Sequence, residues 1–224
     1  VHAVMSKTRC IYRLAQGVYD YSHAFYLQRE AAKCYQEALS RLDEFPLIQK
    51  QGIEAEAFYK HFLNWFEEQE LHSGSDFPEL EKLKGSSFST KKEEDYFEWC
   101  TKKRLFINEL NGISISEVVN HDILTLPSFS ARINTLLTTS EGLNFHGHFD
   151  EMKTDYCYAR YLAFMGSSIP IFEDHFFNST FDHVDTLEYE INNLKTNHLK
   201  SCFRISYSIF DKISFLLHRF FNLD

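Results

Sequence analysis

The sequence CFRISYSIFDKISFLLHRFF, residues 202–221, places an arginine, a serine and an aspartate at helical spacing. Arg204, Ser208 and Asp211 would project from one side of an α-helix, because they are four and three positions apart. A guanidinium binds phosphate in a bidentate manner, and a carboxylate can accept a proton. Apolar residues fill the rest of the circumference, and we expect Phe210 to be buried. The polar stripe either faces water, packs on another polar surface, or lines a site.

The predicted helix that carries this stripe is locally cationic, although the whole chain has a formal net charge of −9. Its basic residues are Lys195, Lys200, Arg204, Lys212 and Arg219, beside the single acid Asp211. The net negative charge disfavours indiscriminate binding to nucleic acid or to an anionic membrane. The cations of this helix either neutralise acids of the preceding segment, such as Asp182 and Glu188, or form a site for a polyanion.

Two further groups of residues could hold a metal ion. His121 and Asp122 are adjacent, as in the HD phosphohydrolases, whose neighbouring imidazole and carboxylate bind a divalent ion. His146, His148 and Asp150 alternate in NFHGHFDE and would face the same way on an extended loop. His-Asp pairs more often cap or turn a chain, and surface loops readily accumulate such residues. We therefore predict no metal ion and no other cofactor.

Composition and spacing predict an all-α protein. The chain has 22 Phe and 12 Tyr, but its 8 Gly and 4 Pro are too few for a sandwich of many short strands. Helical spacing covers residues 6–45 and 53–71, and a last helix is predicted at about 194–221. A short helix at 131–141 and a longer one around Arg160 are expected before it, separated by a loop rich in Gly, His and Asn.

The composition changes at residues 73–92, which contain Pro78 and the run GSSFSTKKEED. Low hydrophobicity and turn-forming residues predict an exposed linker here. It would join a helical region at residues 1–72 to a second domain at residues 93–224. Within the first region, AAKCYQEAL resembles the second helix of a tetratricopeptide repeat, a helix type that can hold a protein partner. An ordinary helical hairpin with an Ala-Tyr-Ala packing face fits equally well.

The cellular location is predicted from what the sequence lacks. No run approaches the roughly 18 apolar residues of a membrane span, and the N-terminal VHAVMSKTRC has no apolar core of a secretory signal. The five cysteines are far apart and form no CxxC pair, which argues against a disulfide framework or a zinc-thiolate site. We predict a soluble, cytoplasmic protein with reduced thiols and no membrane contact.

Four blocks from residue 98 onwards resemble a branch of the HEPN superfamily. In order, they are EWCTKKRLFINELN, NHDILTLPS, TDYCYARYL and KSCFRISYSIFDKISFLL, and they span most of residues 95–221. The resemblance implies an all-α bundle of four or five core helices that usually dimerises around its late helices. Members sometimes carry tetratricopeptide-like helices N-terminal to the bundle.

The resemblance also implies a function in RNA metabolism. Many HEPN proteins are metal-independent ribonucleases of toxin, antiphage or RNA-surveillance systems, whereas others only bind. The nucleases use an Arg followed by a His after a spacer of about four to six residues, which places a cation and a proton-transfer group on one helical face. Here the closest match to that pair is Arg204 with Asp211, so a carboxylate replaces the imidazole. His121 is a candidate to supply the imidazole from elsewhere in the fold.

The leading hypothesis is a HEPN-type protein that binds or cleaves RNA, with a second copy of the chain as its partner. The candidate catalytic residues are Arg204, Asp211 and His121, and the candidate substrate-binding residues are Arg160, Lys200, Ser208 and Lys212. The alternative is a non-catalytic interaction and dimerisation module, in which the N-terminal helices hold a protein partner. An HD-type metal phosphohydrolase is the weaker alternative. The sequence leaves open whether the protein is an enzyme.

Overall fold

The computed structural model describes most of the chain, and within that part it is helical. The described residues are 2–18, 20–40, 49–74, 76–83, 87–114, 116–126, 139–170, 175–180 and 193–221. They form the helices α1 His2–Gly17, α2 Tyr21–Ser40, α3 Gln49–Ser73, α4 Lys91–Lys103, α5 Thr139–Ser168 and α6 Leu194–Phe221. No strand occurs among these residues, which confirms the all-α prediction. None of the described helices is long and apolar enough to cross a membrane.

The chain divides into two compact units, Val1–Leu124 and Thr125–Asp224. The first unit is built on the helices α1, α2 and α3. A short connection joins α1 to α2, and Asp20 caps the start of α2 by accepting hydrogen bonds from the backbone N–H groups of Ser22 and His23 at 2.8 and 3.2 Å. The hydrogen bond from the Ser22 hydroxyl group lowers the pKa of Asp20 below its ordinary value.

Aromatic side chains from α2 and α3 fill the core of the first unit. Phe25 and Tyr35 of α2 are almost fully buried, and their rings lie 5.6 and 5.3 Å from those of Phe66 and Phe62 of α3. Ala31 is also buried, so helix α2 does present a face of small and aromatic residues. Its likeness to a tetratricopeptide helix stays a prediction, because an ordinary hairpin has the same face.

The segment 76–83 packs on α2, which differs from the exposed linker predicted for residues 73–92. The ring of Phe77 stacks on that of Phe25 with 4.7 Å between centroids, and Leu80 is buried. The Tyr26 hydroxyl group donates a hydrogen bond of 3.0 Å to the carbonyl oxygen of Pro78. Two apolar side chains therefore hold a segment of polar average composition against α2, although Asp76, Pro78 and Glu79 stay exposed. The structure divides the chain after Leu124 instead.

Helix α4 begins and ends with clear local signals. The Thr90 side chain accepts a hydrogen bond from the Glu93 N–H, and the Glu93 carboxylate accepts one from the Ser89 N–H, so both ends of the capping interaction are satisfied. The helix ends at Arg104, which has a left-handed backbone with φ of 54°. The Arg104 side chain donates a hydrogen bond of 2.7 Å to the carbonyl oxygen of Gly112, so the following turns fold back towards this helix end.

The second unit is built on α5 and α6, which pack antiparallel. Phe145 near the start of α5 contacts Phe220 near the end of α6, while Gly166 near the end of α5 meets Leu199 near the start of α6. A Cβ atom at Gly166 would lie only 3.0 Å from the Leu199 side chain, so the glycine allows the two helices to approach closely. Asn193 caps α6 by accepting a hydrogen bond of 2.9 Å from the Thr196 N–H.

Helix α5 begins earlier in the chain than the sequence predicts. The loop predicted around His146 and His148 is wrong, because both residues lie within α5. Gly147 lowers the helix propensity by only about 1 kcal/mol relative to Ala, a cost that tertiary packing readily offsets. The short helix predicted at 131–141 lies mostly outside the described residues. The predicted last helix is confirmed at Leu194–Phe221.

Candidate functional site

One side of α6 is occupied by its contacts with α5. The Lys212 ammonium donates hydrogen bonds to the Glu151 carboxylate and, at 2.7 Å, to the Asp155 carboxylate. The Lys195 ammonium donates to the carbonyl oxygen of Ile169. Lys212, a predicted substrate-binding residue, therefore has its charge engaged in an ion pair between the two helices.

Because of the ion pair of Lys212, the stability of this unit should change with pH in the alkaline range. Hydrogen bonds to Asp155 and Glu151 raise the pKa of Lys212 above its ordinary value of 10.5. The contribution is therefore complete below pH 10.5 and is lost as the pH rises through the higher pKa of the folded protein. We expect the difference in urea midpoint between wild type and Lys212→Met to shrink between about pH 8 and about pH 12. Lys102→Met, at an exposed lysine of α4, is the control, and an unchanged difference would contradict this assignment.

The opposite side of α6 carries the predicted polar stripe. Arg204 and Asp211 are both exposed, and neither forms an ion pair with any residue in the described part of the chain. Ser208 lies between them, and its hydroxyl group donates a hydrogen bond of 2.8 Å to the carbonyl oxygen of Ile205. Lys200 is exposed one turn before Arg204. The guanidinium and the carboxylate thus face solvent on the same side of one helix.

Three aromatic side chains lie beside this stripe, and the sequence reasoning did not assign them to a site. Phe203, Tyr207 and Phe210 are 70%, 63% and 69% exposed. The rings of Phe203 and Tyr207 are stacked, with centroids 6.3 Å apart and planes inclined by 27°. The expectation that Phe210 is buried is wrong, because α5 packs against another side of the helix. The available signal was the spacing of four and three residues, one position before Arg204, Ser208 and Asp211.

Together these residues form what we call the outer face of α6: Lys200, Phe203, Arg204, Tyr207, Phe210 and Asp211. Each of these residues lies three or four positions from at least one other in the group, so they are neighbours on the helix surface. The three aromatic rings form one row along the helix, and Lys200, Arg204 and Asp211 form the adjacent row. Such a surface can stack on planar bases while its cations contact phosphate groups.

Arg160 does not contribute to the outer face of α6. The contacts of α5 with α6 place Arg160 and Arg204 at about the same level of the helix pair, since Phe145 meets Phe220 and Gly166 meets Leu199. However, Arg160 is only 7% exposed, and its guanidinium lies 5.7 Å from the centre of the Tyr156 ring. Burial against an aromatic ring explains this position structurally. The groove predicted to gather Arg160 with Arg204 is therefore not formed by these two side chains.

His121 belongs to the first unit, where its neighbour Asp122 has a structural role. The Asp122 carboxylate accepts a hydrogen bond of 2.8 Å from the backbone N–H of Ile107 and so fixes a turn. Residues His146 and His148 lie on a helix, where side chains two positions apart point in different directions. Throughout the described ranges, no group of three or more His, Cys, Asp or Glu residues is placed to hold a metal ion.

The described residues form an all-α protein whose helix α6 exposes aromatic rings beside a lysine and an arginine. A family model described as LA2681-like HEPN matches residues 136–224, which cover α5 and α6. Residues 136–224 are therefore similar to LA2681-like HEPN proteins, and this match supports the resemblance to the HEPN superfamily. No curated protein and no solved structure matches the chain. Two of the four resembling blocks lie before the matched residues: EWCTKKRLFINELN belongs to the first unit, and NHDILTLPS spans the division after Leu124.

Proposed function

We propose that the second unit binds single-stranded RNA on the outer face of α6. HEPN domains point at the level of the superfamily to functions related to RNA or to nucleases. The observation that supports RNA here is a row of exposed aromatic rings directly beside Lys200 and Arg204 on one helix. Single strands offer unstacked bases to aromatic rings and a regular series of phosphates to cations.

Arg204 has the central role in this proposal. Its guanidinium can bind two oxygens of one phosphate, a geometry that a lysine ammonium cannot reproduce. Phe203 and Tyr207 stack on bases to either side. The localised positive charge also explains how a chain with a net charge of −9 binds an anion, since the local field of α6 and not the total charge acts at short range.

We further propose that the protein cleaves the bound RNA, with Asp211 as the base. The Asp211 carboxylate accepts the proton of a ribose 2′-hydroxyl, and the 2′-oxygen forms a bond to the adjacent phosphorus. The bond between phosphorus and the 5′-oxygen breaks, and that oxygen takes a proton from water. Arg204 stabilises the charge on the phosphate oxygens. The products end in a 2′,3′-cyclic phosphate and a 5′-hydroxyl, without a metal ion.

Incubating the full chain with mixed RNA in EDTA tests this reaction. We expect products with cyclic phosphate ends from wild type, and none from Arg204→Ala, which should keep its helical circular dichroism because Arg204 is exposed. Asp211→Asn should lose cleavage but retain RNA affinity, because the amide cannot accept the proton. Tighter binding without loss of cleavage would instead show that Asp211 only repels phosphate.

Unchanged affinity for RNA in Arg204→Ala would overturn the proposed binding site. If RNA binds but no cyclic phosphate forms, the protein is an RNA-binding member of the superfamily without nuclease activity. A role in toxin or antiphage defence is part of the nuclease proposal. If the protein has this defence role, induced expression of wild type in a bacterial host should arrest growth, and expression of Arg204→Ala should not.

The second candidate function is a homodimerising interaction module, which is supported by the length of the exposed apolar surface on α6. Beyond the outer face, the exposed apolar residues of this helix include Leu199, Leu217, Phe220 and Phe221. A surface of this kind is typical of an interface between chains. Light scattering at tens of micromolar, compared between wild type and the variant Phe203→Ala, Tyr207→Ala, distinguishes the two candidates. A dimer held together by these rings would become monomeric in the variant and would exclude RNA from the same rings.

A further inference from the structure

The first unit contains a half-open cavity that the proposed RNA site does not involve. It has a volume of about 400 Å³ and lies between α2, α3 and the segment 74–82. This volume is within the range of about 300–1,000 Å³ that is usual for ligand sites. Its apolar lining comes from Ala32, Leu63, Phe66, Phe77 and Pro78. Three charged or polar side chains of α2, which are Arg29, Lys33 and Gln36, form one wall.

A smaller cavity adjoins the first one. Both are lined by Arg29, Lys33 and Glu79, and the smaller one continues towards Leu80 and Ile113. The smaller cavity has a volume of only about 30 Å³, and the linings of the two cavities together follow α2 from Tyr26 to Gln36 as one groove. An elongated, half-open groove fits an extended chain better than it fits a compact small molecule.

Most charged groups in this groove are engaged within the protein. The Arg29 guanidinium pairs with Glu70 at 3.1 Å, donates a hydrogen bond of 2.8 Å to the carbonyl oxygen of Phe77, and lies 4.9 Å from the centre of the Phe25 ring. Lys82 pairs with Glu79 at 3.1 Å. Within each pair the two charges neutralise one another.

Lys33 and Glu67 are different. Neither forms a hydrogen bond or an ion pair with any residue in the described part of the unit. Lys33 comes from α2 and lines both cavities, whereas Glu67 comes from α3 and lines the larger one. The groove therefore presents opposite charges on two different helices beside apolar residues, and the nearby Glu79 interacts with Lys33 only at longer range. Opposite charges at the edges of a binding surface fix the orientation of a ligand.

We propose that this groove binds a linear peptide segment of a protein partner. A bulky apolar side chain of the peptide inserts against Leu63, Phe66 and Phe77, and an adjacent acidic side chain pairs with Lys33. The inference rests on the first unit alone, so it holds or fails independently of RNA binding by α6. It also gives a chemical description of the protein partner expected for the N-terminal helices.

Selection from a random peptide library displayed on phage, with the full chain as the immobilised target, tests this inference. We expect the enriched peptides to combine a Leu, Ile, Met or Phe with a neighbouring Asp or Glu. The same selection on Lys33→Glu should enrich Lys or Arg at that neighbouring position, because the charge of the wall is reversed. Lys33 is exposed, so the substitution should leave the thermal unfolding curve unchanged.

Binding of one synthetic enriched peptide, measured by fluorescence polarisation, gives the quantitative test. Its Kd should rise at least about tenfold for Lys33→Glu, since a like charge then faces the acidic side chain. Lys102→Glu is the matched control, because Lys102 is an exposed lysine of α4 that lines neither cavity and its reversal changes the net charge equally. We expect its Kd to stay within about twofold of wild type.

Three results would overturn the inference. The first is selection without enrichment over the bare support. The second is equal weakening by Lys33→Glu and Lys102→Glu, which would indicate a non-specific effect of total charge. The third is loss of peptide binding in a variant with Phe203→Ala and Tyr207→Ala, which would place the peptide on the outer face of α6.

Discussion

The double variant Phe203→Ala, Tyr207→Ala should lose at least about 30-fold in affinity for a single-stranded oligouridylate, since stacking contributes about 1–3 kcal/mol per base. The two rings are 70% and 63% exposed, so their removal should leave the urea midpoint nearly unchanged. Fluorescence polarisation with a labelled oligonucleotide at one fixed salt concentration measures the loss.

The matched control for this prediction is the double variant Tyr158→Ala, Phe176→Ala. It removes one tyrosine and one phenylalanine that are 55% and 75% exposed in the same unit but are not on α6. Its affinity should equal that of wild type. Equal losses in the two double variants, or no loss in either, would show that the outer face of α6 is not where RNA binds. A change in molecular mass with unchanged RNA affinity would favour the dimerisation module.

Two phenylalanines of the second unit should differ greatly in their contribution to stability. Phe164 of α5 is only 7% exposed, and its truncation to Ala should cost about 3–5 kcal/mol through lost burial and a cavity. Phe210 of α6 is 69% exposed, and Phe210→Ala should cost less than about 0.5 kcal/mol. Urea unfolding followed by circular dichroism compares the two variants in the full chain.

The comparison of Phe164 with Phe210 also tests whether α6 is covered in solution. If Phe210→Ala destabilises the protein as much as Phe164→Ala, another surface must bury Phe210. The effect should then depend on protein concentration, because association couples to folding by mass action. A large effect that is independent of concentration would contradict the exposed position of this ring.

The limits of the last helix could be predicted from its sequence, but its buried side could not. Leu194–Phe221 has continuous helical spacing and a capping residue, both of which are local properties. Apolar residues occupy so much of its circumference that periodicity does not select one side as the core. Only the position of α5, a non-local property, shows that Phe210 is exposed and that Lys212 is paired.

The packing of the segment 76–83 and the start of helix α5 could not be predicted from local composition either. Residues 73–92 have a polar average composition, yet burial depends on a few positions such as Phe77 and Leu80, which find a surface on α2. The sequence around His146 has Gly, His and Asn, which favour loops locally. Packing of α5 along α6 stabilises the helix in spite of this composition. Local composition predicts such segments poorly when a long-range contact is decisive.

The division of α6 into a side held by α5 and a solvent-facing side has a consequence for how this protein can evolve. Phe203, Arg204 and Tyr207 are exposed, so selection can alter the ligand of this surface with little loss of stability. Substitutions at Lys212 must instead be compatible with Glu151 and Asp155. Related chains can therefore share the helix pair while differing in what they recognise, and one scaffold can serve as a nuclease in one lineage and as a binding protein in another.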